Sequence, residues 1–266
     1  MSARIVVLLL SLSVVRPALA ADAFSTDWAA TRGDEATARL IAGGPNDAAL
    51  EIRLAPGAIT YWRDPGDSGL APSFDFSGSS NIARAEAEFP APTRIVEPDG
   101  SQAFGYADEA TFPIAVEAVD SAKPATLALR LAYAVCAEIC LPAKADLTLR
   151  LPAASTPYAA TIAAARAATP RRVEWSALKA ELTPLDARDW LLCLPAEPGP
   201  PRDLFVEAPA SWRLSTKAVP SADGRDCFDI ALDDKPRDGA FPLSVRATIV
   251  GGRGPLEVML SLAPKA

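Results

Sequence analysis

Leu127, Leu129, Leu131, Tyr133 and Val135 recur at every second position, with Ala128, Arg130, Ala132 and Ala134 between them. A two-residue period places alternate side chains on opposite faces, so this run is a β-strand with one buried face. It leads directly into Val135-Cys136-Ala137-Glu138-Ile139-Cys140-Leu141-Pro142-Ala143. Cys136 continues the less hydrophobic row, so its sulfur is expected to point away from the main core. Residues four apart in an extended strand lie about 13 Å apart, whereas a disulfide needs Cα atoms within about 7 Å. Pairing of Cys136 with Cys140 therefore requires the chain to turn between them. A short loop closed on the exposed end of a strand suits a labile disulfide used in exchange. A structural staple in an exported protein explains the same pair equally well, and C-x3-C is a weaker redox signature than C-x2-C.

The same alternation recurs through both halves of the chain. Leu50, Ile52 and Leu54 alternate with Glu51 and Arg53, and Leu147, Leu149 and Leu151 alternate again. Further strands are expected at 37–41, 59–62, 74–76, 82–89 and 112–119. In the second half they fall at 190–194, 204–207, 227–232, 243–250 and 256–262. With 25 prolines the chain is not mostly helical. Thr156-Pro157 before an alanine-rich run predicts a single helix over 158–168, stopped by Thr169-Pro170. The expected fold is all-β: two immunoglobulin-like sandwiches, at 21–153 and 173–266, joined by a helical linker at 154–172.

Arg4, the apolar run Ile5 to Val15 and Ala18-Leu19-Ala20 have the three parts of an export signal, with cleavage expected after Ala20. The run is too short to span a bilayer. Without residues 1–20 the chain holds 24 basic residues against 33 acidic ones, which disfavours nucleic acid as a partner. There is no histidine, which excludes Ser-His-Asp and Cys-His nucleophiles and His-bearing zinc sites. Met259 is the only methionine after the signal. Chemistry is left to carboxylates, hydroxyls and four thiols, and four cysteines allow three pairings. Chain proximity favours Cys136 with Cys140 and Cys193 with Cys227. The latter two each fall inside a strand-like run, where a structural cross-strand disulfide is the simplest role.

Two loops bear on the site. Arg63-Asp64-Pro65-Gly66-Asp67-Ser68-Gly69 lacks the lysine and following helix of a phosphate-binding loop, so turn chemistry explains it. Asp99-Gly100-Ser101-Gln102-Ala103-Phe104-Gly105-Tyr106 reads as a polar loop with two aromatic anchors.

At Tyr61-Trp62-Arg63-Asp64-Pro65-Gly66-Asp67-Ser68-Gly69, and again at the segment from Val135 to Ala143, the chain resembles the periplasmic N-terminal region of the DsbD family of thiol:disulfide interchange proteins. The likeness is closer to the ScsB-type branch, which is associated with suppression of copper sensitivity. It implies an immunoglobulin-like periplasmic domain in which Cys136 and Cys140 are the redox pair and Phe104 and Tyr106 belong to a cap loop shielding them. It also implies a membrane-embedded thiol reductant and periplasmic thioredoxin-fold clients as partners, with no cofactor. Family members usually continue into a membrane conduit and a thioredoxin-like domain that these 266 residues do not include, so the reductant is expected to be a separate protein. Two alternatives stand beside a dithiol carrier: a binding module whose disulfides are structural, and a Cu(I)-binding protein using the two thiolates.

Overall fold

The computed structural model describes residues 22–30, 35–97 and 100–265. The stretch 1–20, expected to be an export signal, lies outside these residues, as do Pro98 and Asp99. The first half contains β1 (Ala29–Ala30), β2 (Ala36–Gly44), β3 (Asp47–Leu54), β4 (Ile59–Gly66), β5 (Ser73–Asp75) and β6 (Ile82–Ala87). These are followed by β7 (Thr93–Val96), β8 (Gln102–Ala107), β9 (Glu109–Ala118), β10 (Thr126–Cys136) and β11 (Cys140–Arg150). They form two antiparallel sheets, ordered β1-β2-β3-β9-β6 and β11-β10-β4-β8-β7, with β5 pairing β10. Leu40, Leu50, Ile52 and Phe112 of one sheet meet Leu127, Leu129, Leu131, Tyr133 and Leu147 of the other in a shared core. Burying each such side chain contributes roughly 1.5–3 kcal/mol.

After the helix α1 (Ala159–Ala167) come β12 (Arg171–Arg172), β13 (Glu181–Pro184), β14 (Asp189–Leu194) and β15 (Asp203–Glu207). The chain ends with β16 (Arg213–Val219), β17 (Asp226–Asp234), β18 (Leu243–Val250) and β19 (Leu256–Leu262). Their two sheets, β12-β19-β18-β15 and β13-β14-β17-β16, enclose a separate core around Trp190, Phe228, Val245 and Leu260. The chain is thus nearly all β, built as immunoglobulin-like sandwiches.

The helix starts later than the sequence predicts. Tyr158 takes the N-cap position, and the Thr156 hydroxyl accepts from Tyr158 N–H at 3.1 Å while donating to the Ala42 carbonyl at 2.5 Å, which ties the start of the helix to β2. Ile162 is fully buried against Ile41 and Ala49, and Arg166 pairs with Asp47 and Glu88. α1 therefore packs on the outer face of the first sheet.

The two sandwiches are joined through β15. Phe205 enters the first core, edge-on to Trp62 and to Phe104 at centroid distances of 6.0 and 4.9 Å. On one side of it Arg94 donates to both carboxylate oxygens of Asp203 at 2.9 Å, and on the other Arg63 grips Glu207.

Candidate redox site

β10 and β11 are an antiparallel hairpin whose last pair is Cys136 opposite Cys140, closed by Ala137, Glu138 and Ile139. The turn demanded by the spacing is thus a three-residue hairpin loop, and it brings the two Cα atoms to 4.0 Å with the sulfurs bonded. The two sulfurs differ in environment. Cys136 is 4% exposed and packs with Tyr61, Ala103 and Ala134, away from the main core as its place in the alternation requires. Cys140 is exposed, and beside it Ile139 stands 69% exposed at the tip of the loop.

β4 lies against the end of β10, pairing Thr60 with Val135 and Ile59 with Cys136, and the Thr60 hydroxyl donates to the Ala134 carbonyl at 2.9 Å. This register places Tyr61 over the disulfide. Its hydroxyl donates to Cys136 Sγ at 2.8 Å and lies 3.8 Å from Cys140 Sγ. Burial raises the Tyr61 pKa, the charge of Glu97 raises it further, and a hydrogen bond with Ser68 works the other way. The phenol therefore keeps its proton through the neutral range and remains a donor. Ser68 and Ser101 each donate to Glu97 Oε2 at 2.7 Å, which holds that carboxylate against the turn that follows β4.

Thiol–disulfide exchange proceeds by a thiolate attacking one sulfur while the other leaves as thiolate. Here the sulfur open to attack is that of Cys140, and the one placed to leave is that of Cys136. A hydrogen bond to an anion is stronger than one to a neutral group. The Tyr61 hydroxyl is thus aimed at the atom on which negative charge would develop if a thiolate attacked Cys140.

Phe104 and Tyr106, expected above the pair, lie elsewhere. Residues 102–107 are a strand, not a loop, paired with β4 and β7. In that strand Ala103 faces Cys136, so alternation turns Phe104 and Tyr106 to the opposite side. There Phe104 packs on Phe205, and Tyr106 packs on Phe112 with its hydroxyl donating to the Pro90 carbonyl at 2.8 Å. The aromatic group on the sulfurs is Tyr61. Its only sequence signal was its place in the motif that carries the family resemblance. Glu138 is exposed between the cysteines, where its charge disfavours a neighbouring thiolate, while Lys144, whose charge would favour one, is about 13 Å along β11 from Cys140. Cys193 and Cys227 are opposed across β14 and β17 and joined by a disulfide, 4% and 5% exposed.

A sandwich that presents a disulfide on a hairpin tip, one sulfur exposed and the other beneath a phenol, has the geometry that a thiol:disulfide interchange domain requires. Residues 30–152 match the family model described as "Thiol:disulfide interchange protein DsbD, N-terminal". Among solved structures the chain is similar to the N-terminal periplasmic domain of ScsB from Proteus mirabilis, at 21% identity and a TM-score of 0.72 over 92% of this chain and 100% of that one. The similarity extends the shared fold to the second sandwich. A manganese lipoxygenase structure of Gaeumannomyces graminis with part of a zonadhesin of Komagataella pastoris reaches a TM-score of only 0.20, at 6% identity over 89% of this chain and 93% of that one. No protein of curated function matches the chain in sequence. Among the described residues no helix is long and apolar enough to cross a membrane.

Proposed function

We propose that the chain is an exported dithiol/disulfide carrier that takes two electrons from a membrane-embedded thiol reductant and delivers them to thioredoxin-fold clients. The observation that carries this reading is the asymmetry of the pair, with Cys140 exposed and Cys136 buried under the Tyr61 hydroxyl. A thiolate of the reductant attacks Cys140 Sγ, forming a mixed disulfide while Cys136 leaves as thiolate. The reductant's second thiolate then releases Cys140, so one disulfide is broken here and one is formed on the donor. Delivery runs the same steps in reverse: Cys140 attacks the client disulfide, and Cys136 resolves the mixed disulfide. Neither histidine nor metal is required.

Trapping with a thioredoxin-fold client tests the assignment. Cys136→Ser leaves the exposed thiol without its resolving partner and is expected to accumulate a mixed disulfide through Cys140. Cys140→Ser leaves only the covered sulfur and is expected to accumulate far less. Equal trapping by both, or trapping by neither, counts against the carrier.

A further inference from the structure

β4 touches the disulfide on one side and the second sandwich on the other, through three consecutive residues. Tyr61 donates to Cys136 Sγ. Trp62, fully buried, stands edge-on to Phe205. Arg63 lies over the Trp62 ring at 4.4 Å and crosses to the second sandwich. There its Nε is 3.1 and 3.0 Å from the two carboxylate oxygens of Glu207, and its Nη2 is 2.7 Å from Glu207 Oε1 and 2.6 Å from Glu257 Oε2. The arginine side chain is 20% exposed and that of Glu257 only 8%, so the ion pairs are shielded and their geometry is specific.

The backbone makes this grip consequential. β4 pairs β10 only at Ile59 and Thr60, and it pairs β8 at Ile59, Thr60 and Tyr61 and then again only at Gly66. Tyr61 is therefore the last residue held by a ladder before the strand bulges. The next polar anchor along the chain is Arg63.

We propose that Arg63, held by Glu207 and Glu257, is a positioning residue for the Tyr61 hydroxyl, so that the second sandwich sets how readily the Cys136–Cys140 bond opens. This rests on the reading of that bond as one opened by thiol attack, with Cys136 as the leaving sulfur. The second sandwich then forms part of the redox site without touching either sulfur.

The test is a double-mutant cycle on the oxidised full chain, following reduction of Cys136–Cys140 by dithiothreitol with alkylation and peptide mass analysis. Tyr61→Phe is expected to slow reduction by about tenfold, the loss of one hydrogen bond to a developing thiolate. Glu207→Gln is expected to slow it about threefold in the otherwise unchanged protein and to have no further effect in the Tyr61→Phe background. Arg63→Lys, which keeps the charge but loses the two-pronged geometry, is expected to behave as Glu207→Gln does. Equal slowing in both backgrounds, or no slowing in either folded variant, overturns the proposal. Reduction by a small thiol needs no client, so a chain that transfers to no client would sink the carrier reading while leaving this measurement intact.

Discussion

Gly69 leaves no room for a side chain beside Tyr61: a Cβ there would lie 2.1 Å from the ring's Cε1 and 2.2 Å from its Cζ, and the backbone has φ +95°. The glycine of the turn that follows β4 is thus a seat for the ring that covers the disulfide. Gly69→Ala forces either the turn or the ring to move. It is expected to cost roughly 1–3 kcal/mol in a denaturant midpoint. It is also expected to slow reduction of Cys136–Cys140 by dithiothreitol. A variant that keeps the unaltered rate would show that the ring position does not matter to the chemistry.

Tyr61→Phe carries a pH signature. The raised pKa keeps the phenol protonated beyond its ordinary value of 10.0, so the donor persists through neutral and mildly alkaline solution. Above that it becomes a tyrosinate, which cannot donate and whose charge opposes the leaving thiolate. The ratio of unaltered to Tyr61→Phe reduction rates is therefore expected to stay level from about pH 7 to about pH 10 and fall beyond it. Taking the ratio removes the pH dependence of the reducing thiol. A fall centred below pH 10 would contradict the buried, carboxylate-facing phenol.

Much of this site was legible because its constraints are local. The alternation from Leu127 to Val135 set the face of Cys136, and the reach of an extended chain demanded a turn before Cys140. What escaped depended on distant partners. Tyr61 and Cys136 are 75 positions apart, and nothing local marks a tyrosine as a thiol's neighbour. In sequence β8 has the look of a loop because it begins Gln102-Ala103 and contains Gly105, yet that glycine is what lets β8 approach β4. A Cβ on Gly105 would fall 2.0 Å from the Thr60 carbonyl oxygen. Once β8 is a strand, Phe104 and Tyr106 must share one face, and Ala103 takes the other. β16 leaves a weak trace for a related reason, since only Leu214, Thr216 and Val219 are partly buried, and they break the two-residue period.

The second disulfide is expected to be separable from the first. Cys193 and Cys227 close a loop of 34 positions within the second sandwich, which the chain-entropy treatment values at about 4 kcal/mol. Cys193→Ala with Cys227→Ala should lower unfolding stability by about that amount. At temperatures where the variant stays folded, the rate of Cys136–Cys140 reduction should be unchanged. A change in that rate in the folded variant would make the second pair part of the exchange chemistry.

Phe205 is a side chain of one sandwich buried in the core of the other. It is 1% exposed, packed on Trp62 and Phe104, and overlaid by Arg94 at 5.0 Å from its centroid. Removing a large buried aromatic costs roughly 3–5 kcal/mol. Here that loss falls on the junction, since neither core depends on Phe205 for its own closure as much as the contact between them does. Phe205→Ala is therefore expected to split a single calorimetric unfolding transition into two, with the sandwiches melting separately. The Arg63 and Arg94 ion pairs alone are weak holds once water enters between the layers. A variant that still unfolds in one transition with little loss of stability would mean that the ion pairs carry the junction and the aromatic plug does not.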